Sequence, residues 1–158
     1  MTLMIREAVP DDLAQVHEMI GLLARHHGDA MTITVQDLHN RIFVRQQGCI
    51  LVAAEEEGLV GYALILTRPN LVTGGAGHDI NHLFVVEWRR RAGIGRALIA
   101  AARQVSQATG VEYLTIGAQA ENHGAITAYR DMGLEEQPLF GVRFKVRLDQ
   151  AGLPHAAP

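Results

Sequence analysis

A glycine-containing turn between a strand pattern and a helix pattern constrains the fold more than any other feature of this chain. The turn runs from Arg90 to Gly95, with glycine at positions 93 and 95. Residues 79–86 before it have the character of a buried strand, and residues 95–108 after it repeat apolar side chains at helical spacing. A second strand pattern at residues 112–117 completes a strand–helix–strand unit, which predicts two parallel strands joined by a crossover helix.

The remaining segments extend this unit into an α/β domain on a mixed sheet. Turn and capping signals separate the segments, with a hairpin turn at Glu57-Gly58 and a flexible loop at residues 68–77. The patterns predict strands at residues 2–8, 49–56, 59–67 and 139–148, and helices at residues 10–27, 34–45 and 122–132.

Length and charge narrow the classes of protein. A chain of 158 residues corresponds to about one domain, so we predict a single domain over residues 1–148 and a flexible tail over residues 149–158. The net charge of −3 argues against a duplex nucleic acid as partner. The acidic excess lies in residues 1–79, so an anion is expected to bind the second half of the chain.

The single cysteine and the hydropathy pattern indicate a cytoplasmic protein. Cys49 has no partner for an internal disulfide, which favours a reducing compartment. The N-terminus lacks a signal-peptide pattern, and no apolar run approaches the roughly 20 residues of a membrane span, so no membrane partner is expected. Because Cys49 lies in an apolar strand pattern, we interpret it as a core residue and not a nucleophile.

The glycine turn has the chemistry of an anion site. Glycine lets the backbone approach a ligand closely, and the unpaired amides at a helix start bind phosphate. Arg89, Arg90, Arg91 and Arg96 add positive charge. The spacing matches neither a Walker loop nor the dinucleotide fingerprint. The alternative is an ordinary turn with solvated arginines.

A second group of residues follows in residues 122–133. Asn122 suits a helix N-cap, Tyr129 lies about two turns further along the same helix, and Gly133 suits the helix end. Taken singly, Asn122 is explained by capping and Tyr129 by packing.

Together, the two motifs resemble the GCN5-related N-acetyltransferase (GNAT) family. LFVVEWRRRAGIGRALI is similar to that family's cofactor-binding motif, and ENHGAITAYRDMGL to its next motif. The resemblance implies a mixed, mostly antiparallel sheet flanked by helices, with acetyl-CoA in the cleft after the fourth strand and no metal. It also implies that Tyr129 is the general acid, and that the cofactor contacts are Leu83, Phe84, Val85, Arg90, Arg91, Ala92, Gly93, Ile94, Gly95, Arg96, Asn122 and Ala125. Arg91 stands where family members often have glycine; an arginine costs little there if its φ is ordinary, and this departure bears only on how tightly the corner turns.

The proton acceptor is less well determined by the sequence. Histidine titrates near neutral pH, which makes His82 the candidate base, although a structural role fits it equally well. Because side chains alternate along a strand, Asn81 and His82 cannot both face the cleft unless the strand contains a bulge.

A weaker resemblance to the spermidine/spermine acetyltransferase branch bears on the substrate. LARHH, TVQDL and LFGVRFKVRL carry it. At positions where that branch grips polyamines with carboxylates, this chain has His27, Asn81 and His82, so we expect a compact amine instead. Adjacent histidines such as His26 and His27 are a poor chelating pair, and no metal site is expected.

The sequence therefore favours an N-acetyltransferase that acts on a primary amine of a small molecule by direct attack. Two alternatives stay open: a protein or peptide N-acetyltransferase, and a non-catalytic acyl-CoA-binding module. A homodimer is a further expectation, because family resemblance makes dimers common and the final strand pattern alternates Phe140, Val142, Phe144 and Val146.

Overall fold

The computed structural model describes residues 2–138 and 141–148. Within these residues, five strands and four α-helices follow one another in the order that the sequence predicts, except for the final strand. Their bounds are β1 Met4–Glu7, α1 Leu13–His27, α2 Val35–His39, β2 Gly48–Glu55, β3 Gly58–Pro69, β4 Ala76–Val85, α3 Ile94–Thr109, β5 Leu114–Ile116 and α4 His123–Asp131.

The five strands form one sheet in the order β1-β2-β3-β4-β5. The first four are antiparallel to their neighbours, and β5 runs parallel to β4 over only three residue pairs. This arrangement confirms the predicted mixed, mostly antiparallel sheet. It also confirms the crossover from β4 through α3 to β5.

Both faces of the sheet are covered. Gly61 of β3 lies against α3, where an added Cβ would come within 3.5 Å of Leu98. Its neighbour Tyr62 therefore faces the opposite side, because successive strand residues alternate between faces. The predicted helical stripes supply much of the core: Val16 and Ile20 of α1 are buried.

Two predicted elements differ from the structure. The helix expected at residues 34–45 is the five-residue α2 followed by a π-helical turn at Asn40–Val44. The strand expected at residues 139–148 is wrong for residues 141–148, which form no strand although Val142 and Phe144 alternate as strand residues do. Alternation gives a strand only where a neighbouring strand supplies hydrogen bonds, and β5 ends this sheet. Phe140 and residues 149–158 lie outside the described residues.

One extra residue interrupts the pairing of β3 with β4. Leu64 pairs with His82, whereas the next residue, Ile65, pairs with Ile80, so Asn81 has no partner in the ladder. This arrangement is a β-bulge, in which two residues of one strand oppose a single step of the other. The bulge lies in the middle of β4, upstream of the glycine turn, and reverses the facing of every residue before it.

Candidate active site

The bulge at Asn81 brings Asp79 and His82 to the same face of the sheet. Asp79 pairs with Leu66 and His82 pairs with Leu64, and these two partners lie two residues apart on β3. Residues two apart on a strand share a face, and directly paired residues do too. Without the bulge, residues 79 and 82 would face opposite sides.

That face opens into a cavity of about 840 Å³. Its walls come from β4, the end of α1 with the segment 28–33, the residues just after β5, and α4. The cavity brings together six residues that the sequence singled out: His27, Asn81, His82, Leu83, Asn122 and Tyr129. Asn81 and His82 both line the cavity, which the sequence analysis expected only if β4 contained a bulge.

The other predicted cofactor residues do not line this cavity. Phe84 and Val85 continue β4 beyond it, and the residues from Arg90 to Arg96 lie further along the chain at the start of α3. Ala125 lies on α4, where its amide donates to the Asn122 side chain at 3.1 Å. The structure thus separates this cavity from the segment expected to hold a cofactor.

His82 lies deep in the cavity wall with one ring nitrogen already engaged. Its Nδ1 is 3.1 Å from the hydroxyl of Tyr62, a fully buried residue of β3. Burial lowers the pKa of His82, and the nearby His27 lowers it further. Since the ordinary value is already 6.5, the imidazole is neutral at pH 7.

Tyr129 faces the same cavity from α4. The helix begins at Asn122, whose side chain accepts the Ala125 amide, so the predicted N-cap is confirmed while Asn122 also lines the cavity. Burial raises the pKa of Tyr129, which keeps the phenol protonated at neutral pH but makes it a weaker acid.

The glycine turn has the backbone that phosphate binding needs. Gly93 adopts φ 79° immediately before α3, and no side chain caps the helix start. Gly95 has an ordinary φ, and a Cβ built there meets nothing within 4 Å. The first amides of α3 are thus without intrahelical partners and border open space.

Arg91 has a strained backbone in this turn. Its φ is 61°, in the left-handed region, so the condition under which arginine costs little at this position is not met. A side chain in that conformation costs about 1–2 kcal/mol relative to glycine.

Two of the four arginines near the turn are engaged elsewhere. Arg89 forms an ion pair with Glu55, whose side chain is only 6% exposed although it belongs to a run of three glutamates at residues 55–57. Arg90 donates from Nε to the Val85 carbonyl at 3.0 Å and lies over the Phe84 ring. These contacts fix the end of β4 against the turn.

Asp79 is a cavity residue that the sequence reading did not assign. Its carboxylate accepts from Thr115 of β5 at 2.7 Å and from Arg68 of β3 at 3.2 Å, and it is 17% exposed. Asp29, from the segment after α1, lies in the cavity wall as well. The sequence places Asp79 in the cavity only if the bulge is known, because regular alternation puts Asp79 and His82 on opposite faces of the sheet.

Cys49 lies outside this cavity and is half-buried. Burial, with a contribution from Glu7, raises the pKa of its thiol to about 11. The thiol is therefore protonated at neutral pH and a poor nucleophile.

Comparisons with known proteins agree on one family. The family described as acetyltransferase (GNAT) matches residues 16–134. A curated relative, the uncharacterized N-acetyltransferase YhfO of Bacillus subtilis, is 24% identical over 137 residues, covering 86% of this chain and 92% of that protein.

Solved structures share the fold. An aminoglycoside acetyltransferase from an uncultured soil metagenomic sample, in complex with sisomicin, has a TM-score of 0.78 at 20% identity, covering 92% of this chain and 97% of its own. A ribosomal-protein-alanine N-acetyltransferase from Brucella melitensis has a TM-score of 0.69 at 18% identity, covering 91% and 100%. Similarity to both a small-molecule and a protein acetyltransferase leaves the acceptor open.

The described residues contain neither a membrane-spanning helix nor a metal-binding cluster. Among residues 2–138 and 141–148, no helix combines the length and apolar character that a membrane crossing requires. In the same part of the chain no three His, Cys, Asp or Glu side chains cluster closely enough to hold a metal ion.

Proposed function

This chain belongs to the acetyltransferase (GNAT) family, and on that premise we propose that it transfers the acetyl group of acetyl-CoA to a primary amine of a small molecule. The observation that carries the proposal is the convergence of His82 and Tyr129 on one cavity, bordered by the strand that leads into the glycine turn. The size of that cavity, about 840 Å³, falls in the usual range for small-molecule sites and favours such an acceptor over an extended peptide.

The start of α3 fits the pyrophosphate of coenzyme A. The uncapped amides after Gly93 offer donors, and the helix dipole favours a negative group there. The open space at Gly95 lets an anion approach the backbone. Arg91 and Arg96 add positive charge, although Arg96 is 3.8 Å from Asp131.

The free edge of β4 fits the pantetheine arm. β5 pairs with β4 only from His78 to Ile80, and no other described strand pairs with that edge beyond the bulge. The Val86 amide donates to Val60 on β3, so the main-chain groups of Val85 and Leu83 face the free edge. Arg90 occupies the Val85 carbonyl, which leaves the Val85 amide and the main-chain groups of Leu83 for the arm.

The reaction places limited demands on the protein. The thioester supplies an activated acetyl group; the amine nitrogen forms a bond to its carbonyl carbon, and the bond from that carbon to sulfur breaks. The nitrogen loses one proton and the sulfur gains one. We assign Tyr129 as the donor of the sulfur's proton and His82 as the second catalytic residue, beside the attacking amine; the nitrogen's proton passes to the solvent, from which Tyr129 regains its own. The high pKa of Cys49 supports direct attack over a cysteinyl intermediate.

His27 and Asn81 form the rest of the proposed acceptor site. The cavity holds two carboxylates, Asp29 and Asp79, but Asp79 is already paired with Arg68. The cavity therefore offers the ammonium groups of a long polycation less negative charge than its two carboxylates would suggest. A compact monoamine fits this balance better, because each ammonium removed from water needs an opposing charge. A location in the cytoplasm and a homodimer remain parts of the proposal.

The test is an acceptor panel with release of the thiol as readout. Small amines, amino acids, aminoglycosides, polyamines and N-terminal peptides are compared by kcat/KM. A small amine as the best acceptor supports the proposal, whereas a peptide as the best acceptor overturns it. Binding of coenzyme A by calorimetry with no acceptor turned over would instead favour the non-catalytic binding module.

A further inference from the structure

We infer that Tyr62 fixes the tautomer of His82, so that His82 presents an N–H donor at Nε2 to the acceptor cavity and acts as a hydrogen-bond donor, not as the proton acceptor. This inference rests on the proposed function only in taking the cavity as the site of acetyl transfer. The assignment makes Tyr62 a positioning residue, since it acts on the reaction through His82.

The contact follows from the regular pairing of β3 with β4 on the C-terminal side of the bulge. Tyr62 pairs with Phe84 and Leu64 pairs with His82, so Tyr62 and His82 are diagonal neighbours on one face of β3 and β4. Their rings meet edge to face, with centroids 6.0 Å apart and planes 79° apart. The Tyr62 hydroxyl reaches Nδ1 at 3.1 Å.

The direction of this hydrogen bond follows from burial. Tyr62 is fully buried, and in the described part of the chain its hydroxyl contacts one acceptor, the Nδ1 of His82. A buried phenol keeps its hydrogen bonded, and burial raises the pKa of Tyr62, so the group stays protonated. The O–H therefore donates, and Nδ1 accepts.

The tautomer then follows from the chemistry of imidazole. A neutral ring carries one hydrogen, and when one nitrogen accepts, the other holds that hydrogen. His82 is neutral near pH 7 because its pKa is lowered. Nε2, on the side of the ring away from Tyr62, is thus an N–H. The titratable side chains that share its cavity are His26, His27, Asp29, Asp79 and Tyr129.

An N–H at this position suits an oxygen acceptor in the bound substrates. The proton-acceptor role expected from the sequence needs the reverse tautomer, with Nδ1–H donating to Tyr62. That arrangement leaves the buried phenol hydrogen without a partner, which disfavours it by roughly 5- to 150-fold.

The tautomer is measured directly by NMR of the full-length protein with ¹⁵N-labelled histidine, above the pKa of His82. We expect the His82 shifts of the Nε2–H tautomer in the wild type, and a mixture of tautomers in Tyr62→Phe. Tyr113→Phe is the matched control and leaves the His82 shifts unchanged. A wild-type Nδ1–H tautomer overturns the inference without any variant having to fold, and so does an identical tautomer in a folded Tyr62→Phe.

Kinetics separate the donor from the base. Glutamine places an amide N–H near the position of Nε2 but cannot accept a proton. We expect His82→Gln to retain at least about tenfold more kcat/KM than His82→Ala, a difference of about 1.4 kcal/mol. Equal losses of kcat/KM in both variants overturn the donor role. The NMR readout needs no acceptor, so it stands even if the proposed transfer reaction fails.

Discussion

Asp79 and His82 lie three residues apart on one strand and yet face the same cavity, because Asn81 is an extra residue between them. The bulge thus joins a carboxylate anchored by Arg68 and Thr115 to an imidazole anchored by Tyr62. Neither side chain reaches this face by ordinary strand alternation if the other does.

Deletion of Asn81 tests this dependence. Removing the extra residue turns Asp79 toward the α3 side of the sheet, where its contacts with Arg68 and Thr115 are lost. We expect a destabilisation of about 3–5 kcal/mol, the usual cost of leaving a buried charge unpaired. The control is Asn81→Ala, which keeps the residue count. Chemical denaturation of both variants measures the difference; equal stabilities would mean that the bulge does not set the facing of Asp79.

Gly95→Asp tests the phosphate role of the turn. Gly95 has an ordinary φ and open space, so the variant should fold, and a carboxylate in the first turn stabilises a helix by about 0.3–1 kcal/mol. The same charge repels a pyrophosphate. We expect coenzyme A affinity to fall at least about tenfold, or about 1.4 kcal/mol, by calorimetry while Tm is unchanged or higher. The isosteric Gly95→Asn is the control; equal affinities in the Asp and Asn variants would remove the electrostatic argument.

Tyr129→Phe tests the proton donor. The substitution removes only the hydroxyl, so packing of α4 is kept and cofactor affinity should change little. Proton transfer by a positioned side chain contributes about 10²–10⁴-fold, and the raised pKa of Tyr129 places the expected loss of kcat toward the lower end. Tyr113→Phe is the matched control. Unaltered turnover would make Tyr129 a packing residue.

Stability should fall on mild acidification because of buried histidines. Burial lowers the pKa of His78, which contacts Ser106 at 2.8 Å, and of His82. As the pH falls below 6.5, the unfolded chain takes up protons that the folded chain does not, so the free energy of unfolding decreases until the lowered pKa is reached.

Denaturation between pH 7.5 and 5 measures this slope, and His78→Asn should reduce it. Asp12 does not contribute to this slope. The hydrogen bond from Arg6 lowers the pKa of its carboxylate, so the stability that Asp12 contributes is lost only below about pH 4. An unchanged slope in His78→Asn would show that His78 titrates alike in both states.

Spermidine should be a poor acceptor compared with a compact monoamine. Arg68 already neutralises Asp79, so a second ammonium has little opposing charge in the cavity. In Arg68→Gln, we expect the kcat/KM ratio of diamine to monoamine to rise several-fold, roughly the effect of 1 kcal/mol for a partly buried charge pair. Efficient acetylation of spermidine by the wild type would contradict the substrate assignment.

Much of the fold is predictable from the sequence because its signals are local. The apolar spacing of α1 and the glycines that border α3 fix those helices to within three residues at each end. The bulge is not predictable in this way, because one unpaired residue leaves the apolar pattern of β4 nearly intact. Asp79 was missed for that reason, although His82 and Asn81 were named.

Other features depend on distant partners. The ion pair between Arg89 and Glu55 joins residues 34 positions apart, so the local sequence around either residue does not predict it. The φ of 61° at Arg91 is a conformation that arginine rarely adopts, so the residue type alone does not indicate it. The alternation after residue 140 predicts a strand, but β5 is the last strand of the described sheet.

The cavity has two walls of different character. One is β4, whose bulge and core contacts are tied to the sheet. The other is the segment 28–33, which is mostly exposed, gives only Met31 and Ile33 to the core periphery, and is held where His17 donates to the Ile33 carbonyl at 2.8 Å. Substitutions in those six residues can therefore reshape one wall of the proposed acceptor cavity while β4 and the core residues behind it are left unchanged.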